Sequence, residues 1–372
     1  MISVKLQLNS SKLKNNTMKK TILILMFTLM YNISFGQNKV DAEKLVDEGI
    51  AYHDKGDYDG AIFRYDKALI LDKDNFSALN EKAFSLLSSN KNEECIKCCE
   101  KAIETHPEEE GLKNVYVTYG NALDGLNKTD RSIEVYDEGI KQFPNFYLLH
   151  FNKGITLGSV KKYDDALLCF QMSAKLNPTH AGSHNAIARI SKINDRRIPA
   201  LLAYCRFFSI DSESDRAKQN LESVRSIMKA NVEKTGNKSI NININRNMLS
   251  DVSANGKQKE NNFSVTDMIL SMETAMDFDE KNNNKSEVEQ FIRKFNTVCS
   301  SLKESKKDNH GFFWDYYVPY FIEMKDKKFV EAFSYVAFAS STDPNVSKWL
   351  ESNKEEVEKF LEWSKSFKFA TN

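Results

Sequence analysis

The chain is short of proline, of glycine and of net charge, and each shortage narrows what it can be. Six prolines in 372 residues leave few positions where a helix is forbidden, since proline removes a backbone donor and crowds the preceding turn. Fourteen glycines, none gathered into a phosphate-cradling loop, give no basis for nucleotide binding. The 52 basic residues are balanced by 52 acidic ones, and the lack of a basic excess argues against nucleic acid as the partner. Long apolar runs are missing too. The stretch Thr21 to Tyr31 is too short to span a bilayer.

Chemistry is equally sparse. No serine elbow, paired catalytic carboxylates or metal-ligand spacing can be picked out, so no catalytic residue, metal or cofactor is assigned. The six histidines are scattered. His180 and His184 are spaced for one helical face, but they straddle the helix start after Pro178 and lack a third ligand. Of the six cysteines, Cys95, Cys98 and Cys99 cluster. Cysteine packs well as a small hydrophobe, and buried thiols are expected there.

What is present is a beat. The small residues Ala61, Cys95, Ser132, Ala166 and Ala200 recur at steps of 34, 37, 34 and 34 residues. Four positions after each stands Tyr65, Cys99, Tyr136, Phe170 or Tyr204; twelve before stands Gly49, Ala83, Gly120, Gly154 or Ala188. Pro107, Pro144 and Pro178 close three of the units. Such a period signifies stacked helix hairpins, because one hairpin cannot bury its apolar face alone.

These residues resemble the tetratricopeptide repeat. The resemblance implies an all-α helix-hairpin solenoid of about five repeats. A small residue lies where helices A and B cross, and an aromatic fills the gap to the next hairpin. Repeat five is the weakest, with Phe207 where a small residue belongs and Ser212 in place of proline. The stretch Ser214 to Lys229, with Ala217, Leu221, Val224, Ile227 and Met228 on one face, suits a capping helix.

The expected organisation is an N-terminal extension and signal peptide over 1–36, a solenoid with its cap over 37–230, a linker over 231–262 and a smaller helical domain over 263–372. Met18-Lys19-Lys20, the apolar run Thr21 to Tyr31 and Ser34-Phe35-Gly36 have the layout of a secretory signal, with cleavage before Gln37. Met18 is also the better start. Cleavage would remove five lysines and no acids, leaving 47 basic against 52 acidic residues. The expected product is a bacterial protein in the periplasm or secreted, with no integral membrane span.

In the linker, Ile240, Ile242 and Ile244 alternate with asparagine. With no second alternation nearby to pair with, the segment is equally disordered or an edge offered to a partner. Asp277 to Lys285 lacks the glycine and final glutamate of a calcium loop. Phe312, Phe313, Trp314, Tyr316, Tyr317, Tyr320 and Phe321 form the most aromatic stretch, as core or as a stacking platform for sugar or peptide. Phe329, Ala332, Val336, Ala339 and Pro344 repeat the spacing of repeat four, so Phe313 to Pro344 is either a divergent sixth repeat or an ordinary helical hairpin.

By the same resemblance, helix A lines a concave groove. Its lining would be Val46, Ile50 and His53; Asn80, Phe84 and Leu87; Val117, Asn121 and Asp124; Phe151 and Ile155; Asn185, Arg189 and Lys192, with about a third expected to be packing residues. A subclass of the family grips a peptide carboxylate with cations, but Val117, Gly182 and Ala186 occupy those positions, so that clamp is rejected. The expected function is an exported scaffold binding an extended peptide or helix of a protein partner. The alternatives are an envelope-directed enzyme with its site around Trp314 and Tyr317, and a structural part of an envelope assembly.

Overall fold

We describe residues 20–21, 37–236, 239–243 and 260–370 of a computed structural model of the chain. Its contacts divide it into two compact units, one up to Pro144 and one from Asn145 onward.

The first unit holds three helix hairpins. They are α1 (residues 37–53) with α2 (Tyr58–Leu71), α3 (Phe76–Ser88) with α4 (Asn92–Thr105), and α5 (Leu112–Gly125) with α6 (Thr129–Gln142). Each hairpin turns through one left-handed residue: Gly56 (φ 78°), Asn90 (φ 59°) and Asn127 (φ 58°). Glycine and asparagine tolerate that conformation best. The small residues do what the repeat requires of them. A Cβ on Gly49 or Gly120 would fall inside the rings of Tyr65 or Tyr136. Ser132, at a crossing, also donates its hydroxyl to the Gly120 carbonyl at 2.8 Å. Cys95 and Cys99 fill the corresponding places in α4 as free, buried thiols, while Cys98 is half-buried.

The second unit opens with two further hairpins, α7 (Tyr147–Ser159) with α8 (Tyr163–Leu176) and α9 (Ala181–Ile193) with α10 (Arg197–Phe208). Their turns use Lys161 (φ 62°) and Asp195 (φ 53°) at the same place in the repeat. A Cβ on Gly154 would lie 2.7 Å from the Phe170 ring. Next come α11 (Asp215–Lys229), strands β1 (Val232–Lys234) and β2 (Ile240–Ile242), α12 (Ser264–Ala275), α13 (Glu287–Ser305) and a five-residue π turn (Phe313–Tyr317). The last helices are α14 (Val318–Asp326), α15 (Val330–Ala337), α16 (Pro344–Ser352) and α17 (Lys354–Ser366).

All twelve residues of α10 are buried. That explains the weak fifth repeat: α10 packs on α9, on α12, on α15 and on the π turn. A helix enclosed on every side has no use for a one-faced pattern, and Phe207 fills space that a small residue would leave empty. The solenoid's end and the helices after residue 263 therefore lie in one compact unit, although composition drew a linker between them. The apolar face of α11 is buried, as a cap requires, and α12 packs against it. There the Thr274 hydroxyl donates to the Met228 carbonyl at 2.7 Å.

One expectation needs correction, and one of two open alternatives falls away. Ile240–Ile242 does find a partner, pairing antiparallel with Val232–Lys234. The β1 sequence Val-Glu-Lys carries too little alternation to be noticed beforehand. The segment Phe313 to Pro344 does not form a sixth repeat, because α14 and α15 pack mainly on α13. Its left-handed turn residue, Lys328 (φ 64°), also falls one position late against Lys161 of repeat four. The signal segment lies outside the described residues apart from Lys20 and Thr21. Among the described residues, no helix is long and apolar enough to cross a membrane.

Candidate functional site

In the first unit, helices α1, α3 and α5 supply the A-helix positions, and α3 packs directly on α5. Phe84 is 46% exposed and Ile50 36%. Phe84 is nonetheless held in place: its ring stacks on His53 at 4.8 Å, and His53 Nδ1 shares a hydrogen bond of 2.7 Å with the Ser85 hydroxyl. The Tyr58 ring abuts His53 from another side at 5.1 Å. Asn121, half-buried on α5, accepts from the Tyr136 hydroxyl through Oδ1 at 2.7 Å. Its amide NH2 can still donate outward. Val117 and Leu87 are half-buried beside these residues, and Asn80 donates to Glu81 Oε1 at 2.8 Å.

Val46 does not belong to this face. It is 2% exposed and sits in the core cluster of the first hairpin with Ala42, Ala61 and Tyr65. A β-branched residue one turn before Ile50 on α1 meets α2 instead of solvent. The helical period alone could not separate these two faces.

The second unit's A-helix positions divide in the same way. Ile155 is 47% exposed, and Arg189 and Lys192 are exposed. Phe151 is half-buried in an aromatic nest, 5.6 Å from Phe170 and 4.6 Å from His180 between ring centres. Asn185 is half-buried, and its Oδ1 has no hydrogen-bond partner.

The aromatic stretch forms no open platform. Trp314 is 1% exposed and Tyr317 0%. Trp314 stacks on Phe263 at 4.4 Å and donates Nε1–H to the Asn262 carbonyl at 2.8 Å. A substrate could not reach either ring without unpacking the unit. The histidine pair diverges as well. His184 is fully buried and bonded to Tyr317, whereas His180 bonds to Ser183. Among the described residues, no three His, Cys, Asp or Glu side chains gather as a metal site. Asp277 is taken by Arg293 and by Lys294, the latter at 2.6 Å.

Residue-by-residue reading missed a buried polar cluster. Arg197 Nη1 pairs with Asp267 Oδ1 at 2.8 Å and donates to Ser271 Oγ at 2.8 Å, while Nε–H donates to the Ile227 carbonyl at 2.8 Å. Burial pushes the Asp267 carboxyl up and the Arg197 guanidinium down, and the ion pair opposes both shifts. The cluster borders a polar cleft of about 530 Å³ that Asp164, Arg196 and Glu260 also line. Two arginines inside an otherwise apolar helix B were the available signal.

Hairpin order, turn residues and crossing glycines together define a tetratricopeptide-type fold. No family model matches the chain. It is 26% identical over 168 residues to "Protein STIP1 homolog" of Dictyostelium discoideum, a match of 37% of this chain and 30% of that protein. It is 41% identical over 75 residues to Hsp70-Hsp90 organizing protein 1 of Glycine max, covering 20% of this chain and 13% of the soybean protein. Photosystem I assembly protein Ycf3 of Prochlorococcus marinus is 26% identical over 153 residues, 37% of this chain and 88% of its own length. The chain thus spans less than a third of the Dictyostelium and soybean proteins. Among solved structures, PilF of Pseudomonas aeruginosa is similar at 17% identity and a TM-score of 0.44, over 52% of this chain and 90% of its own. YrrB, described as a TPR protein with an unusual peptide-binding site, is similar at 19% identity and a TM-score of 0.39, over 52% of this chain and 97% of its own.

Proposed function

We propose that the chain is an exported scaffold whose A-helix face in the first unit holds an extended segment of a protein partner. The observation that carries the proposal is Phe84: an aromatic ring nearly half exposed, yet fixed by His53 and through it by Ser85. An apolar anchor whose rotamer is already set loses little entropy on binding. Ile50 extends the apolar contact, and the Asn121 amide can hold a ligand carbonyl whatever the ligand's sequence. In the second unit, Ile155 offers apolar surface and Arg189 attraction for an acidic residue with a salt-sensitive on-rate, whereas the Asn185 Oδ1 is itself buried. Two of the relatives, the soybean Hsp70-Hsp90 organizing protein and the Prochlorococcus Photosystem I assembly protein, are named for organising or assembling other proteins, which agrees with a scaffold. The absent carboxylate clamp makes a peptide gripped by its C-terminus a poor candidate. Export rests on the signal-like segment before Gln37.

Partner capture from the envelope fraction tests the groove. Phe84→Ala together with Ile50→Ala should abolish capture with an unchanged helical circular-dichroism spectrum, the Phe84 anchor being worth about 2 kcal/mol. Normal capture by that variant would refute the groove. N-terminal sequencing of the native protein tests export: Gln37 as first residue supports it, and Met1 or Met18 on a cytoplasmic protein would refute it.

A further inference from the structure

Arg206, near the end of α10, is 1% exposed. Nη1 donates to Ser364 Oγ at 2.8 Å and Nη2 to the Pro178 carbonyl at 3.0 Å, while Nε has no acceptor. Its neighbour in the same helix, Arg197, has a carboxylate partner in Asp267. Among the described residues, no carboxylate pairs with Arg206. A buried cation without a counter-charge is costly. Aromatic faces offset part of that cost, with the Tyr320 ring centre 5.0 Å and the Phe369 ring centre 4.8 Å from Cζ.

Phe369 belongs to a non-helical strap, Phe367–Ala370, that follows α17. Its ring is 8% exposed and stacks on Tyr316 at 4.6 Å and on Tyr320 at 5.5 Å. Tyr316 is presented by the π turn, a geometry that recurs at functional sites. The residues on either side, Lys368 and Ala370, are exposed. The strap reaches the slot through the Phe369 ring, with half-buried Phe367 packed on the rim, its ring centre 5.1 Å from that of Tyr320 and 4.8 Å from that of Phe369. It contains no acid, and Lys368 adds charge of the same sign as Arg206.

We propose that the slot closed by Phe369 is a binding site for an aromatic residue flanked by carboxylates in a partner peptide, with the strap as its resident occupant. Such a peptide supplies the ring that the strap supplies and adds the negative charge that the strap lacks. Displacement of the strap would give Arg206 the carboxylate partner that it lacks among the described residues, as a charge-assisted hydrogen bond. This site is independent of the A-helix face.

The test uses the full chain and two labelled peptides, one with a phenylalanine between two aspartates and one with asparagines in their place. Phe369→Ala should bind the aspartate peptide about tenfold more tightly than the unchanged chain does, with no such gain for the asparagine peptide. Equal affinity of the unchanged chain and a folded Phe369→Ala variant for the aspartate peptide, or an equal gain for both peptides, would overturn the proposal. Ring-to-ring nuclear Overhauser contacts on the unchanged chain give a second reading that needs no variant. Saturating aspartate peptide should remove the contacts of the Phe369 ring with Tyr316 and Tyr320, and contacts retained at saturation would overturn the proposal equally.

Discussion

Tyr317 donates its hydroxyl hydrogen to Nδ1 of His184 at 2.7 Å, across 133 residues of sequence. The direction follows from the other side of the ring. His184 Nε2 lies 3.0 Å from the Pro178 carbonyl, which can only accept, so Nε2 carries the proton and Nδ1 must accept. One neutral tautomer is thereby fixed, and it joins α9 to the π turn inside the second unit.

That arrangement predicts an acid-sensitive second unit. Burial, with Arg206 nearby as a lesser cause, pushes the His184 imidazole from its ordinary 6.5 down to about 3. The folded state therefore favours the neutral ring. The stabilisation is complete above the unfolded value of 6.5 and is lost progressively as pH falls towards 3. His184→Gln should flatten the fall in stability across that window, by up to about 1.4 kcal/mol per pH unit. Urea titrations of both proteins at several pH values measure it, and parallel curves would contradict the assignment.

The Arg197–Asp267 pair predicts a non-additive mutant cycle. Asp267→Asn leaves a guanidinium buried without its counter-ion and should cost about 3–5 kcal/mol. Replacing both by apolar residues, Arg197→Met with Asp267→Leu, should cost less than the single change. Denaturation midpoints of the single and double variants decide it.

Gly120→Ala tests the helix crossing of the third hairpin. The added Cβ would enter the Tyr136 ring, which is fully buried and bonded to Asn121. Overpacking of this kind costs about 1–3 kcal/mol. The faster hydrogen exchange should be concentrated in α5 and α6, and an unchanged unfolding midpoint would show that the crossing has slack.

Ala166→Leu puts the same question to the second unit. Ala166 is 0% exposed where α8 crosses α7. The expected loss is about 1–3 kcal/mol. Exchange should rise in α7, α8 and α9 and fade with distance, as nearest-neighbour coupling requires. A uniform rise across the whole chain would contradict that coupling.

The sequence alone determined the hairpin array, because each crossing imposes the same steric demand. Gly49, Gly120 and Gly154 face Tyr65, Tyr136 and Phe170, and a demand repeated at a fixed interval leaves a visible period. It also marked Phe84 and Asn121 as A-helix positions, while the helical period could not tell Val46, turned into the core, from Ile50, turned outward. Only the tertiary structure decided what depends on contacts between distant segments: the pairing of Ile240–Ile242 with Val232–Lys234, the enclosure of α10, the partners of Arg197 and His184, and the seat of Phe369 over Arg206. Each of these contacts occurs once. Its partner is selected by how two surfaces meet, and a contact made once leaves no period in a single sequence.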